Sequence, residues 1–172
     1  MNIVLFGATG MVGQGVLREC LLFCLGVSSA GMTEDDYRRV TYGLTIPVAR
    51  SLARLNPQMT FIYVSGMGTD SSGHGRTMWA RVKGEAENAL LRLPFKAAYM
   101  FRPALIVPLH GIKSKTRLYR ILYAAMGPAL PWLSAGAPKY VTTTEQVARA
   151  MLAVAKRGAP VSILENSDIN KV

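Results

Sequence analysis

The chain has 172 residues, of which 50% are hydrophobic, so it is long enough to bury the core of one domain. Its two cysteines and two histidines form neither a disulfide framework nor a metal-ligand pattern, which predicts reduced thiols and no metal site. No signal peptide and no continuous apolar run of spanning length is apparent, so we expect a cytoplasmic protein.

The formal net charge is +10, and it is unevenly distributed. Between Glu87 and Glu145 the sequence has no acidic residue, whereas the basic residues there are Arg92, Lys96, Arg102, Lys113, Lys115, Arg117, Arg120 and Lys139. This stretch is either a solvated basic face or a surface that attracts an anionic ligand such as a phosphorylated cofactor, an anionic membrane or nucleic acid. Specific binding of nucleic acid is the weakest alternative because no recognition motif accompanies the charge, and a peripheral membrane contact would use the basic region 113–133.

Strand-like and helix-like segments alternate in the first third of the chain. Ile3–Phe6 is apolar throughout, as in a strand that is buried on both faces. Thr33, with Asp36 three residues later, predicts a capped helix start, and Pro47 predicts a kink. The predicted elements are a strand over Ile3–Phe6, a helix over 13–22, a strand over Phe23–Leu25 and a helix from Thr33 to about Asn56.

The alternation continues to the end of the chain. The predicted elements are a strand over Thr60–Val64, a loop over 65–77, a helix over Trp79–Leu93, a strand over 96–101, a basic amphipathic helix over 114–126, a helix from Thr143 to Arg157 and a strand over 161–164. This order predicts an α/β protein with a doubly wound, mostly parallel sheet and helices on both faces, as one domain over residues 1–172.

A glycine-rich loop follows the first strand and opens the first helix. It reads Gly7, Ala8, Thr9, Gly10, Met11, Val12 and Gly13. Gly7 permits a tight turn, Gly10 lets the backbone approach a pyrophosphate, and Gly13 allows close packing of helix on strand. The helix N-terminus then supplies N–H groups and a favourable dipole for phosphates. In this context the loop predicts an NAD(P)-binding Rossmann-type fold, and the absence of a following Gly-Lys-Ser/Thr argues against a P-loop.

With these motifs the chain resembles the atypical or extended branch of the short-chain dehydrogenase/reductase superfamily. The landmarks are the glycine loop, Cys24–Ser28, Tyr63–Gly68, Val82–Glu85 and Phe101–Pro103, and they look most like the Tat-interacting-protein-like and nucleoside-diphosphate-sugar epimerase-like subgroup. The resemblance implies contacts to an NADP or NAD cofactor from Gly7, Ala8, Thr9, Gly10, Met11, Val12, Gly13, Leu25, Gly26, Val27, Ser65, Lys83, Arg102, Pro103, Ala104 and Ile106.

The junction between Val16 and Leu25 conflicts with that fold. It passes from helix to strand without a Gly, Pro, Asn, Asp or Ser. In the dinucleotide fold a direct connection there would make a rare left-handed crossover. We therefore expect a βαβ-sized piece of about 40 residues to be missing between Leu22 and Phe23, and a chain break between about Cys20 and Cys24. The second strand, which normally carries the residue that distinguishes NAD from NADP, would fall in it, so the basic composition favours NADP only slightly.

The resemblance also implies a catalytic constellation, from which this chain departs. The family pairs a tyrosine with a lysine four residues later, and the lysine lowers the pKa of the phenol so that it can exchange protons. Here Lys83 is present, but the tyrosine position holds Trp79, whose indole N–H cannot exchange protons near neutral pH. Ser65 corresponds to the serine that hydrogen-bonds the substrate. The candidate catalytic residues are therefore Ser65, Lys83 and Trp79.

Other residues could substitute for the missing phenol. Tyr42 is a conceivable proton donor, and His74 is either a surface residue or a replacement base, whereas Tyr63 and Tyr99 are expected to pack inside strands. Two functional classes stay open: a reductase or epimerase of weak or altered activity on an unknown small molecule, and a non-catalytic NAD(P)-dependent sensor or scaffold that regulates a protein partner.

Overall fold

The computed structural model describes residues 27–109 and 139–172. The predicted first strand, the glycine loop, the helix over 13–22, the strand Phe23–Leu25, the suspected gap after Leu22 and the basic helix over 114–126 lie outside these residues. The elements within them, in chain order, are α1 (Glu34–Leu55), β1 (Thr60–Val64), α2 (Met78–Leu91), β2 (Ala97–Arg102), β3 (Leu105–Val107), β4 (Val141–Thr143), α3 (Thr144–Arg157), β5 (Ile163–Glu165) and α4 (Asn166–Ile169). The described part of the chain is thus α/β, as predicted.

All described strand pairs are parallel. A three-stranded sheet has the order β1-β2-β5, in which Val64 is opposite Phe101 and Arg102 is opposite Glu165. A separate two-stranded sheet pairs β3 with β4. Because parallel strands end at the same edge of a sheet, the residues that follow β1, β2 and β5 lie side by side.

Helices pack against both faces of the three-stranded sheet. Phe61, Tyr63 and Met100 belong to a cluster with Ile46 of α1 and Leu90 of α2, the α1/α2 cluster. The alternate strand residues belong to a second cluster with α3 and α4, which contains Ile62, Tyr99, Phe101, Val147, Ala148, Ala150, Met151, Val154, Leu164 and Ile169. Burial on both faces explains why the strands are apolar at successive positions rather than alternating with polar residues.

Two threonine caps fix the starts of the long helices. The Thr33 hydroxyl accepts a hydrogen bond from the Asp36 N–H at 3.2 Å, and it donates to the Asp36 carboxylate at 2.8 Å. The Thr143 hydroxyl accepts from the Gln146 N–H at 3.0 Å. Each cap satisfies one of the N–H groups that a helix leaves without a partner at its first turn, so the predicted starts of both helices are confirmed.

The predicted bounds differ from the observed ones in detail. β1 has its predicted range, and α1 ends at Leu55, with Asn56 as its cap and Pro47 inside the helix. α2 covers Met78–Leu91 instead of Trp79–Leu93, and β5 covers Ile163–Glu165 instead of 161–164. The sequence did not predict β3, β4 or α4, each of which has three or four residues. Within residues 27–109 and 139–172, no helix has both the length and the apolar character needed to cross a membrane.

Candidate functional site at the carboxyl edge of the sheet

Ser65 lies directly after β1, at the carboxyl edge of the parallel sheet. Its backbone N–H donates to the Phe101 carbonyl at 2.9 Å, which extends the pairing of β1 with β2 by one step. At the same edge, Arg102 ends β2 and Glu165 ends β5. Ligands of open parallel sheets bind in the crevice outside this edge. Strand register alone therefore brings Ser65, predicted to be catalytic, beside Arg102, predicted to contact a cofactor.

One side of α2 supplies the remaining polar groups of the site. Trp79, Lys83 and Glu87 are four residues apart, and this spacing places them on the same side of a helix. α2 reaches this position because Gly84 lets it approach the loop over 65–77: a Cβ atom on Gly84 would stand 1.8 Å from the Asp70 carbonyl oxygen. The Asp70 N–H also donates to the Ala80 carbonyl at 3.0 Å, so the loop is bonded to the helix.

The Lys83 ammonium hydrogen-bonds the backbone carbonyl oxygen of Ser65. Burial lowers the pKa of Lys83 to about 8, although the nearby Glu87 carboxylate favours the charged form. The structure thus brings together two of the three residues that the sequence analysis named as candidate catalytic residues. Within the described residues, the Ser65 carbonyl is the acceptor that Lys83 contacts, which leaves two of its three N–H donors for other partners.

Glu87 is a buried carboxylate at the centre of the site, and the sequence analysis missed it. Its side chain has no exposed surface. It accepts a hydrogen bond from the Ser65 hydroxyl at 2.5 Å, and the Arg102 guanidinium contacts its two oxygens at 3.1 and 2.5 Å. The signal that could have found it is the helical spacing, because Glu87 follows Lys83 by four residues.

Arg102 joins three other elements to β2. Besides Glu87 on α2, its guanidinium donates to Glu165 at the end of β5 at 3.0 Å and to the Ser71 hydroxyl in the loop over 65–77 at 2.5 Å. These contacts raise the pKa of Arg102, chiefly through the hydrogen bond to Glu87. A guanidinium engaged in this way holds the edge of the sheet together. Its predicted contact to a cofactor stays a prediction.

The loop over 65–77 is organised around the Asp70 carboxylate. This group accepts hydrogen bonds from the Ser72 N–H at 3.0 Å, the Ser72 hydroxyl at 2.6 Å and the Gly75 N–H at 2.6 Å. The hydrogen bond from the Ser72 hydroxyl, followed by that from Gly75, lowers the pKa of Asp70. Asp70 therefore forms the turns of this loop, and it fixes the loop next to α2.

Trp79 lies against the same loop. Its Cη2 atom is 3.7 Å from the position that a Cβ atom on Gly68 would take. The N–H of Met67, the residue before Gly68, donates to the Pro103 carbonyl at 2.9 Å. Trp79 is partly exposed, so its indole is not part of the sheet core. The indole thus lies next to the segment that begins at Ser65.

The other predicted cofactor contacts have diverse surroundings. The Ala104 N–H donates to the Asn166 side chain at 2.8 Å, Ile106 lies in β3, and Val27 is 51% exposed. The residues Gly7, Ala8, Thr9, Gly10, Met11, Val12, Gly13, Leu25 and Gly26 lie outside the described residues. In the part of the chain that is described, no three His, Cys, Asp or Glu side chains are grouped to hold a metal ion.

The tyrosines considered as substitutes have packing roles. Tyr63 is buried in the α1/α2 cluster, and burial raises the pKa of its phenol. Tyr42 is partly buried against the same cluster, and the Tyr99 hydroxyl accepts from the Ala159 N–H at 3.2 Å. The side chain of His74 lies in an exposed part of the loop. None of these contacts brings a phenol to Ser65 or Lys83.

No protein-family model matches this chain, and a search of curated proteins finds no similar sequence.

Proposed function

We propose that this chain is an NAD(P)-binding protein with a doubly wound Rossmann-type sheet, related to short-chain reductases and sugar-nucleotide epimerases. Its redox or epimerase activity is weak or altered, because Trp79 stands where the related enzymes have a tyrosine. NADP is slightly favoured over NAD by the basic composition.

The observation that carries this proposal is the contact of Lys83 with Ser65 at the carboxyl edge of a parallel sheet. These two residues were selected from the sequence for one site, although 18 positions separate them. An ammonium at this edge with N–H donors left for a ligand suits the hydroxyls of a cofactor ribose. The parallel strands and the helices on both faces agree with the same fold.

The side chains and backbone groups at this edge have the chemistry that a dinucleotide cofactor needs. Lys83 would bind a ribose hydroxyl, and the backbone around Pro103 and Ala104 would border the nicotinamide ring. When bound, the nicotinamide would supply or accept a hydride. The phosphates would be held by the Gly7–Gly13 loop, where helix N–H groups offer an anion site.

A second candidate is a non-catalytic sensor, in which the bound dinucleotide changes the affinity for a protein partner. Two observations favour it. The indole of Trp79 cannot transfer a proton, and the Ser65 hydroxyl is already engaged with Glu87. Substrate-dependent oxidation of NADPH distinguishes the two: turnover on a panel of aldehydes, ketones and sugar nucleotides supports an enzyme, and its absence in a protein that binds the cofactor supports a sensor.

The test of the proposal is calorimetric titration of the folded protein with NADPH and NADH. The wild type is expected to bind at least one of them, and Gly10→Val is expected to abolish binding, because a branched side chain would enter the pyrophosphate path. Gly43→Val is the matched control: Gly43 is exposed on α1, and a Cβ atom there would meet only the Arg38 carbonyl oxygen, at 3.8 Å. A folded wild type that binds neither dinucleotide contradicts the proposal.

A further inference from the structure

The Ser65 hydroxyl lies between two hydrogen-bond acceptors. Its oxygen is 2.5 Å from Glu87 Oε1 and 3.2 Å from the Phe101 carbonyl oxygen. Glu87 is ionised, because the Arg102 guanidinium contacts both of its oxygens. A carboxylate and a carbonyl can only accept, and a serine hydroxyl has a single proton to donate. That proton is therefore directed into the protein.

Lys83 has the opposite character. One of its N–H groups donates to the Ser65 carbonyl, and the ammonium has no acceptor capacity of its own. Toward a ligand, the Ser65 oxygen offers a lone pair and Lys83 offers a charged donor. Ser65 is 6% exposed, so the residue keeps a small accessible surface.

We propose that Glu87 is a positioning residue that turns Ser65 into a hydrogen-bond acceptor, so that the site takes a hydroxyl group and not a carbonyl oxygen between Ser65 and Lys83. A hydroxyl donates to the Ser65 oxygen and accepts from the Lys83 ammonium at the same time. A carbonyl oxygen accepts from Lys83 but meets the lone pairs of Ser65. The ligand is thus an alcohol or a sugar hydroxyl. This assignment rests on the proposed function, in which Ser65 and Lys83 face the ligand.

The charges around Lys83 allow a measurement on the protein alone. The charged group that acts on Lys83 is Glu87 on the same helix, and the Ser65 carbonyl that follows β1 accepts its hydrogen bond. Glu87 in turn faces Arg102 of β2, which also pairs with Glu165 of β5, and the buried Tyr63 phenol of β1. Removing the Glu87 charge removes the interaction that favours the ammonium form of Lys83, and the effect of burial remains. The pKa of Lys83 should then fall below its value of about 8.

Nuclear magnetic resonance of the full chain, without ligand, tests where the Ser65 proton is. A hydroxyl proton held in a short buried hydrogen bond exchanges slowly with water and gives its own resonance, identified by its loss in Ser65→Ala. Glu87→Gln is expected to abolish or strongly shift this resonance, because the amide N–H can donate to Ser65 and release its proton. The same variant should lower the pKa of Lys83, followed through its side-chain resonances, which a merely structural role of Glu87 would not require.

Glu85→Gln is the matched control. Glu85 lies on the same helix, but its side chain is 42% exposed and pairs with Arg38. Its substitution should leave both the hydroxyl resonance and the Lys83 titration unchanged. If Glu87→Gln does not fold, Glu87→Asp, which keeps the charge for Arg102 but shortens the side chain, must still shift the resonance. No such resonance in the wild type, or one unaffected by the Glu87 variants, overturns the proposal.

The ligand class is tested with 2-propanol and acetone, because 2-propanol has a hydroxyl where acetone has a carbonyl. At equal concentrations, 2-propanol should shift the Ser65 and Lys83 resonances more than acetone does, and Glu87→Gln should reverse the order. An equal or larger response to acetone in the wild type, or no response to 2-propanol, overturns the assignment of a hydroxyl ligand. Because dinucleotide binding is measured separately, a failure here is distinct from a failure of the proposed function.

Discussion

At the scale of single residues, the proposed function assigns Trp79, one turn before Lys83, to the helix position of a proton-transferring phenol. Its contact with the loop at Gly68 keeps it beside the segment that begins at Ser65. The proposal that this is a reductase-like site therefore makes a kinetic prediction. Wild-type turnover should be near background in both directions of the reaction, and Trp79→Tyr should raise it by about 10²–10⁴-fold, the range typical of a positioned acid or base.

The measurement is NADPH oxidation over a panel of aldehydes, ketones and sugar nucleotides, together with NADP⁺ reduction over the corresponding alcohols. Trp79→Phe is the control, because it removes the indole without supplying a hydroxyl, and it should stay near background. Rapid wild-type turnover that Trp79→Phe leaves unchanged would mean that a different group donates the proton.

Gly84 gives a second prediction at this scale. A Cβ atom there would stand 1.8 Å from the Asp70 carbonyl oxygen and 2.4 Å from the carbonyl carbon, both backbone atoms that cannot rotate away. Gly84→Ala should therefore push α2 off the loop and lower the free energy of unfolding by about 1–3 kcal/mol or more. Denaturant unfolding provides the measurement.

Gly43→Ala is the matched control for Gly84→Ala. Gly43 is also helical, but it is exposed and has free space for a methyl group. Alanine is a better helix former than glycine, so this change should raise the free energy of unfolding by about 1 kcal/mol. Equal destabilisation by both substitutions would contradict the close approach of α2 to Asp70.

The sequence predicted some site residues and missed others for a physical reason. Lys83 and Ser65 were found because their types and context match a known pattern, and the structure brings them into contact. Glu87 was missed, and the side-chain contacts of Arg102 were not predicted, because a charged residue has the same sequence signal whether it binds a ligand or a neighbouring side chain. Only the distances of 3.1 and 2.5 Å between their charged groups reveal the pair.

At the scale of elements, the predictable parts were those with strong local signals. Thr60–Val64 is rich in β-branched and aromatic residues, and Thr33 and Thr143 cap their helices. The β3–β4 pair was not predictable, because a strand of three residues is too short to show a hydrophobic periodicity. In addition, Leu105 pairs with Val141, which is 36 positions later in the sequence. Short elements that depend on distant partners are set by tertiary packing rather than by local propensity.

The ion pair between Arg102 and Glu87 ties α2 to the sheet, and its removal gives a prediction at this scale. In Arg102→Met, Glu87 keeps the Ser65 hydroxyl but loses its countercharge while fully buried. Breaking a buried pair by removing one partner typically costs about 3–5 kcal/mol. The free energy of unfolding at pH 7, from denaturant titration, should fall by that amount.

Two further variants distinguish the loss of the buried ion pair from the effect of removing any arginine. Arg149 pairs with Glu145 on α3, but its side chain is 62% exposed, so Arg149→Met should change stability by no more than about 0.5 kcal/mol. The double variant Arg102→Met with Glu87→Leu removes both charges and should recover part of the loss. If Arg102→Met alone is as stable as Arg149→Met, the ion pair of Glu87 with Arg102 does not contribute to the free energy of unfolding.

At the scale of the whole molecule, the parallel sheet gathers residues that are far apart in sequence. Arg102 and Glu165 end their strands at one edge, where Ser65 follows β1, and α2 adds Lys83 and Glu87 from the side. This cluster has two carboxylates and two cations, so it is balanced only while Lys83 is charged. Burial nevertheless opposes this charge more than Glu87 favours it and lowers the pKa of Lys83, so the protonation of one amine is coupled to the stability of the fold.

This coupling predicts how the stability of the protein depends on pH. Burial lowers the pKa of Lys83 from its ordinary value of 10.5 to about 8, so between these values the unfolded chain binds the proton that the folded one has released. The contribution of Lys83 to the free energy of unfolding should then rise with pH from about 8 toward 10.5. Above pH 10 the phenols of Tyr37 and Tyr63, whose pKa burial raises, should lower the free energy of unfolding instead. Lys83→Met should remove this rise from a series of denaturant titrations between pH 7 and 10, whereas Lys96→Met, at an exposed lysine, should keep it. A Lys83→Met protein with the wild-type pH dependence would show that the amine is solvated and free of the cluster.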